Sequence, residues 1–240
     1  IYLNMASEKL QDYRVRQAIM YALDRKGLSD AVFDGWGSLS YRVLGLTYSG
    51  MTDYDETTWP YEQNIEKAKE LMAEAGYADG MELDLITHNA GVYYQKMAEV
   101  FANQMSAIGI TVNISVYEPA NFKTTQNNLE GWDVSTTSPN TSYVTNASDF
   151  LNNAIIGSMH ADALPTEGYA DALDICTTLK TETDEAAITE LSKEFEDHYF
   201  NDWLWWYPIQ NSGVYTLYTS DLEGLQRCMA SLDLSQAYFK

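Results

Sequence analysis

A chain of 240 residues, 45% of them hydrophobic and 20% charged, is long enough to bury a core and has the composition of a folded globular protein. Its 35 acidic residues against 14 basic ones give a formal charge of -21, which would repel nucleic acid and anionic membrane surfaces. No run of about 18 apolar residues occurs, so no segment is expected to span a membrane.

Helical patterns dominate the first third of the chain. Apolar residues recur at helical spacing in residues 12–23, and a second short helix is predicted at 26–33. Residues 39–59 show no sustained period, and a long surface excursion is expected there. Asn64 is a suitable N-cap for a third helix, whose apolar stripe runs to Ala75.

The clearest unit is a strand, a helix and a strand within residues 81–116. Apolar and polar residues alternate in 81–85 and again in 110–116, and apolar residues keep helical spacing between them. This order predicts a βαβ unit with parallel strands and a right-handed crossover, which makes the domain α/β. A third strand is expected at 132–136, followed by a polar loop at 138–147.

The last third is predicted to be helical and then extended. Helices are expected from Ser148, at 169–179 and at 184–200, with Thr183 as the cap of the last one. Extended segments are predicted at 203–210 and 213–218.

Residues 203–207 form the densest aromatic run. Alternation would point Trp203, Trp205 and Tyr207 to one side and Leu204 and Trp206 to the other. At least one side is expected to pack in the core, and rings on the other side could stack on a ligand.

No catalytic constellation is present in the sequence. His88, His160 and His198 stand far apart without the spacing of metal ligands, and nucleophile-elbow, phosphate-loop and dinucleotide-binding motifs are absent. Cys176 and Cys228 show no C-x-x-C spacing. The sequence is compatible with two buried thiols or with a disulfide between them. The sequence therefore predicts no catalytic residue, no metal site and no cofactor.

Two polar and aromatic loops follow predicted strands, one at 87–94 and one at 137–143. Ligands usually bind outside the carboxyl ends of parallel strands, so both loops are expected to border one cleft. The alternative is that they are solvated connections without a ligand. The candidate ligand-binding residues are Asn89, Tyr93, Tyr94, Ser138, Asn140, Tyr143, Asn146 and, from the aromatic run, Trp205.

Five short blocks occur in a specific order between residues 12 and 151. They are residues 12–19 (DYRVRQAI) with 21–26 (YALDRK), residues 66–80 (EKAKELMAEAGYADG), residues 109–112 (GITV), residues 131–134 (GWDV) and residues 148–151 (SDFL). Together they resemble family 5 of the bacterial extracellular solute-binding proteins, the oligopeptide- and dipeptide-binding class of ABC transporters.

The resemblance implies a periplasmic-binding-protein-like lobe of the type II class, with a mixed sheet flanked by helices. It also implies the second lobe of a two-lobed, hinged clamp, most of whose first lobe would lie outside this sequence. Residues 1–5 would be a hinge-proximal strand, residues 6–205 the lobe, and residues 206–240 a C-terminal segment that returns toward the first lobe.

The function implied by the resemblance is capture of a peptide or similar solute by hinge closure and its delivery to a membrane permease. Such a protein would be a monomer without enzymatic activity. It would also be extracytoplasmic, as a periplasmic protein or a cell-surface lipoprotein, and its export signal is not in this chain. Two alternatives remain, an α/β hydrolase with a dispersed site and an acidic protein-interaction module.

The two loops depart from the family pattern in their charges. Peptide-binding members typically place an acidic residue after the third strand to pair with the ligand's amino terminus, whereas residues 138–146 contain no carboxylate. Residues 87–94 contain no arginine for a ligand carboxylate. Because an ammonium buried without a counter-charge is costly, a longer peptide or an uncharged solute is favoured over a free dipeptide.

Overall fold

The computed structural model describes residues 1–42, 55–137, 166–211, 218–228, 231–233 and 235–240. Its α-helices are α1 (Tyr13–Ala22), α2 (Arg25–Phe33), α3 (Ile65–Glu74), α4 (Val92–Met105), α5 (Pro119–Asn128), α6 (Thr166–Leu179) and α7 (Glu185–His198). Its strands are β1 (Tyr2–Leu3), β2 (Ser38–Leu39), β3 (Met81–His88), β4 (Ile110–Tyr117), β5 (Val134–Ser135), β6 (Gln210–Asn211), β7 (Leu222–Glu223), β8 (Gln226–Cys228), β9 (Ser231–Asp233) and β10 (Tyr238–Phe239). None of the described helices combines the length and the apolar character that crossing a bilayer requires.

Four strands form the main sheet in the order β1-β5-β3-β4. Strand β3 pairs in parallel with β4, from Met81 opposite Ile110 to His88 opposite Tyr117, and in parallel with β5. Strand β1 is antiparallel to β5, so the sheet is mixed. The predicted strand-helix-strand unit with parallel strands and the predicted mixed sheet flanked by helices are both confirmed.

Local signals set the ends of several elements. The side chain of Asn64 accepts a hydrogen bond from the backbone amide of Lys67 and caps α3, as predicted. Gly80 and Gly109 immediately precede β3 and β4 and have φ of +91° and +79°. A Cβ on Gly80 would lie 2.4 Å from the carbonyl oxygen of Gly109, so glycine allows the two strands to begin side by side.

Both faces of the sheet are covered at its central strand, β3. Leu83 and Leu85 of β3 belong to the main hydrophobic core, which also contains the buried faces of α1, α3 and α4. Ile86 points to the opposite face, where it packs with Phe122 of α5 and with Trp132. Burial on both sides explains why the last four residues of β3, at 85–88, are all buried.

Helix α5 was not anticipated from the sequence. Its buried residues are Phe122 and Gln126, so it has no apolar stripe that a period analysis could detect. Proline in its first turn is a helix-start signal, because that position needs no amide donor. The helix forms where it can cover the second face of the sheet.

The prediction of a surface excursion at 39–59 was wrong at its start. Ser38 and Leu39 form β2, which pairs in antiparallel fashion with Gln210 and Asn211 of β6. Strand β5 is also shorter than the expected 132–136. Residues 43–54, the predicted helix from Ser148 and residues 213–217 of the extended segment predicted at 213–218 lie outside the described residues.

The aromatic run does not begin as an extended strand. Helix α7 continues into a π-helical turn at Tyr199–Trp203, and Leu204 then adopts a left-handed conformation with φ of +46°. This break removes the simple two-sided alternation, and all five residues at 203–207 are buried. Trp205, only 1% exposed, stacks on Trp203 with a 4.9 Å centroid distance. Its ring lies in the core, the placement expected for at least one side of the run.

The start of α7 allows a direct test of helix capping. Asp184, and not the expected Thr183, caps the helix, because its side chain accepts a 2.9 Å hydrogen bond from the amide of Ala187. Asp184→Ala is expected to lower the free energy of unfolding by about 1 kcal/mol in urea denaturation. Thr183→Ala is the control and should change it by less than about 0.5 kcal/mol. A larger loss for the control would contradict the assignment of the cap.

Candidate functional site

The carboxyl ends of β3, β4 and β5 lie at one edge of the sheet. His88, the last residue of β3, is opposite Tyr117, the last residue of β4, and Ser135 of β5 is opposite Ile86. Polar and aromatic side chains that end or follow these strands therefore converge at this edge. We call them the strand-end cluster: His88, Asn89, Tyr93, Tyr94, Glu118, Phe122 and Thr136.

Buried hydroxyl groups hold this edge together. The Oγ1 atom of Thr136 lies 2.6 Å from Oγ1 of Thr87 and 3.2 Å from the carbonyl oxygen of Tyr94. The amide of Thr136 also donates to the carbonyl of Ile86. Since both threonines are fully buried, these hydrogen bonds are shielded from water and fix the start of α4 relative to β3 and β5.

His88 is at the centre of the aromatic part of the cluster. Its ring centroid lies 4.0 Å from that of Tyr94 and 4.7 Å from that of Phe122. Burial lowers the pKa of His88 below its ordinary value of 6.5. The amide of Ala90 donates to Nδ1 at 3.3 Å, which places the proton of the neutral ring on Nε2. A neutral His88 adds no charge to this edge at pH 7.

Tyr93 forms the exposed rim of the cluster. It is 39% exposed, and its ring lies 4.2 Å from Tyr94 and 6.0 Å from Phe33 of α2. A hydrogen bond with Tyr94, together with burial, raises the pKa of Tyr93 to about 12. Its hydroxyl therefore stays protonated at neutral pH, and the ring offers an apolar face beside a polar group.

Asn89 joins the loop after β3 to the residue after β4. Its Nδ2 donates to Oε1 of Glu118 at 2.7 Å, and its backbone amide donates to the carbonyl of Tyr117 at 3.1 Å. Both side chains are exposed. Glu118 occupies the N-cap position of α5, but its side chain makes no capping hydrogen bond.

The structure brings together three of the eight sequence-predicted site residues. Asn89, Tyr93 and Tyr94 lie in the strand-end cluster, whereas Trp205 lies in the core. Ser138, Asn140, Tyr143 and Asn146 lie outside the described residues. Sequence reasoning considered the loops after β3 and β5 and missed Glu118 and Phe122, which follow β4. The rule that ligands bind at the carboxyl ends of parallel strands applies to β4 as well and would have found them.

Within the described ranges no group of three or more His, Cys, Asp or Glu residues could hold a metal ion. Burial raises the pKa of the Cys176 thiol to about 12, so this thiol is protonated and inert at neutral pH.

About the first two thirds of the chain match the model of one known protein family. Residues 1–157, which run from β1 past β5, match the model of the family described as bacterial extracellular solute-binding proteins, family 5 Middle.

Two characterised relatives match about half of the chain. It is 32% identical to heme-binding protein A of Haemophilus influenzae over 127 residues, and 30% identical to the dipeptide-binding protein of Escherichia coli over 119 residues. The matches cover 51% and 48% of this chain but only 23% and 22% of those proteins.

Solved structures match over the full chain. A dipeptide-binding protein from Pseudoalteromonas sp. SM9913 in complex with Met-Leu has a TM-score of 0.79 at 21% identity, and this chain covers 47% of it. A putative peptide-binding protein AppA from Clostridium difficile has a TM-score of 0.80 at 18% identity, with 50% covered. The chain thus spans about half the length of these proteins and shares their periplasmic-binding-protein fold. The match of residues 1–157 to the family model shows that the chain belongs to family 5 of the bacterial extracellular solute-binding proteins.

Proposed function

We propose that this chain is the ligand-binding lobe of an ABC-transporter solute-binding protein. It captures a peptide or similar solute at the strand-end cluster by hinge closure and delivers it to a membrane permease. The observation that carries this proposal is the convergence of Asn89, Tyr93 and Tyr94 at the carboxyl ends of parallel strands, where α/β sheets bind ligands. The relatives named above as binding heme or dipeptides are in keeping with a solute as cargo.

The proposed ligand contacts are of two kinds. Asn89 and Tyr93 offer exposed hydrogen-bonding groups, and the rings of Tyr93 and Tyr94 form an aromatic wall. The loop after β5 would complete the site from the neighbouring strand with Ser138, Asn140, Tyr143 and Asn146. Chemistry of this kind suits binding without reaction, and we propose no enzymatic activity.

We propose that the hinge lies where the two ends of the chain, residues 1–5 and residues 206–240, leave the lobe side by side. Residues 1–5 would enter the lobe at 6–205, and residues 206–240 would return toward a first lobe. Support comes from contacts between the two end segments: the amide of Tyr207 donates to the carbonyl of Ile1 at 2.7 Å, and Tyr2 forms an antiparallel bridge with Trp206. Two chain crossings that lie side by side are a suitable pivot for domain closure.

The proposed cellular setting follows from the proposed function. A protein that hands a solute to a permease works outside the cytoplasm, either in a periplasm or anchored to the cell surface as a lipoprotein. We propose that it acts there as a monomer, since its partners are the solute and the permease.

Ligand capture can be tested on the natural full-length protein. A solute identified by mass spectrometry in the purified protein is expected to raise its thermal unfolding temperature when added back. Tyr93→Ala should weaken binding of that solute about 10-fold, because an exposed aromatic anchor is lost. Tyr218→Ala, which removes an exposed tyrosine outside the cluster, is the control and should bind normally. Hydrolysis of the solute, or equal binding by both variants, would contradict the proposal.

A further inference from the structure

We propose that Arg25 is a positioning residue for closure of the solute-binding site, because its guanidinium fixes the start of the segment through which the chain leaves the lobe. We call residues 206–211 of that segment the exit strap. This inference rests on the function proposed above and concerns the control of the same site. An exit strap held in one position would let the first lobe close on the strand-end cluster in one orientation. Such preorganisation favours solute binding, because less freedom is lost on closure.

Arg25 is a buried cation at the start of α2 and is 5% exposed. Its Nε donates to the carbonyl of Pro208 at 3.1 Å, and its Nη2 donates to the carbonyl of Ser40. Ser40 directly follows β2, so one side chain joins α2, β2 and the exit strap. The guanidinium is planar and presents its donors in fixed directions, which suits it to hold two carbonyl groups in a defined geometry.

The charge of Arg25 is stabilised by aromatic rings. Its Cζ lies 3.8 Å from the ring centroid of Trp59 and 5.1 Å from that of Tyr41. Within the described ranges no carboxylate forms an ion pair with it. Burial lowers the pKa of Arg25 to about 10, so the guanidinium remains charged at neutral pH. Because a charge is costly to bury without partners, these carbonyls and rings fix Arg25, and Arg25 in turn holds the exit strap.

Further hydrogen bonds attach the exit strap to the same part of the lobe. The hydroxyl of Ser29 on α2 donates to Oε1 of Gln210, and Nε2 of Gln210 donates to the carbonyl of Trp36. The amide of Ser40 donates to the carbonyl of Ile209 at 3.1 Å. The strap also contains β6, which pairs with β2. The contacts of the arginine therefore belong to a set that holds the strap as far as β6.

Helix α2 also reaches the strand-end cluster. The ring of Phe33, the last residue of α2, lies 6.0 Å from the ring of Tyr93. At the other end of α2, the amide of Asp24 donates to Oε1 of Gln104 at 3.0 Å, and Nε2 of Gln104 donates to the carbonyl of Asp24 at 3.1 Å. Gln104 lies on α4, the helix that carries Tyr93. One helix therefore connects the rim of the proposed solute site to the exit strap.

Replacing Arg25 by methionine tests this positioning role in the natural full-length protein. One spin label is attached at the exposed Glu99 of α4, as Glu99→Cys, and the other on the first lobe. Pulsed electron paramagnetic resonance then gives the distribution of distances between the labels in the absence of solute. The distribution is expected to widen about 2-fold, because a strap that has lost two hydrogen bonds can adopt several orientations. Arg25→Lys keeps the charge but lacks the planar fork, and should give an intermediate width.

Arg16→Met is the control for lost stability. Arg16 is 4% exposed, and its Nε donates to the carbonyl of Trp203, which precedes the exit strap. This variant should be less stable and keep the wild-type distribution of distances. Ser29→Ala removes a contact of the strap with Gln210 and places a good helix former in α2, so the variant should fold and also widen the distribution.

Widening by Arg25→Met and Ser29→Ala, with no widening by Arg16→Met, is the result that supports the positioning role. An unchanged width for Arg25→Met would overturn it, as would unchanged widths for Arg25→Lys and Ser29→Ala if the methionine variant does not fold. Equal widening by Arg16→Met would also overturn it, because lost stability would then be the cause. Failure of the co-purified solute to stabilise the protein would instead contradict solute capture, whatever the width.

Discussion

Replacing Arg16 by methionine is expected to lower the free energy of unfolding by about 3 kcal/mol. Arg16 lies in α1 and is 4% exposed. Its Nε donates to the carbonyl of Trp203 at 2.8 Å, and its Nη1 donates to the carbonyls of Leu10 and Gln11 at 2.7 and 2.8 Å. Methionine fills similar space but leaves these acceptors without a donor, and each buried unpaired group costs about 1–3 kcal/mol.

Arg14, two residues earlier on the same helix, is the matched control. Its guanidinium is exposed and pairs with Asp12 at 2.6 Å. Arg14→Met should cost less than about 1 kcal/mol, because exposed ion pairs contribute little. Urea denaturation followed by tryptophan fluorescence measures both changes. Equal losses for the two variants would show that the buried carbonyl contacts do not stabilise the fold.

Replacing Asp133 by asparagine is expected to cost about 3 kcal/mol, because a buried carboxylate that joins three segments is lost. Its Oδ1 accepts from the hydroxyl of Ser7 at 2.5 Å. Its Oδ2 accepts from Nζ of Lys9 at 2.7 Å and from the amide of Asp84 at 2.8 Å. The amide group of asparagine would face these donors with a donor of its own.

Asp84→Asn is the control for this experiment. The side chain of Asp84 is 53% exposed, and its carboxylate lies 3.9 Å from the same Nζ of Lys9. The substitution should therefore cost less than about 1 kcal/mol in equilibrium unfolding. If Asp84→Asn destabilised the protein as much as Asp133→Asn, the burial of the Asp133 carboxylate would not be the cause.

Elements with a strong local period were predictable from the sequence. The alternation in 81–85 and 110–116 and the helical spacing between them specify β3, α4 and β4, because the two periods of 2 and 3.6 residues are visible within a short window. The cap at Asn64 was found for the same reason, since the hydrogen bond joins residues three apart. The ordered blocks were sufficient to indicate the family.

Elements that depend on distant partners were not predictable. Strand β2 exists because Leu39 pairs with Gln210, and nothing near either residue marks that pairing. Helix α5 buries one apolar side chain, Phe122, and is stabilised by the face of the sheet that it covers. Leu204 adopts φ of +46°, a conformation uncommon for leucine, where the chain turns from α7 into the core.

The candidate site also contains residues that the sequence could identify and a pairing that only the tertiary structure shows. Asn89 and Tyr94 could be named from the sequence, because they follow a recognisable strand and ligands bind at such ends. The pairing of Asn89 with Glu118 required the tertiary structure. It depends on the register that sets His88 opposite Tyr117 and so places the next residue of each strand side by side. Sequence periodicity specifies which residues form strands, but only the hydrogen-bonded register decides which side chains meet at their ends.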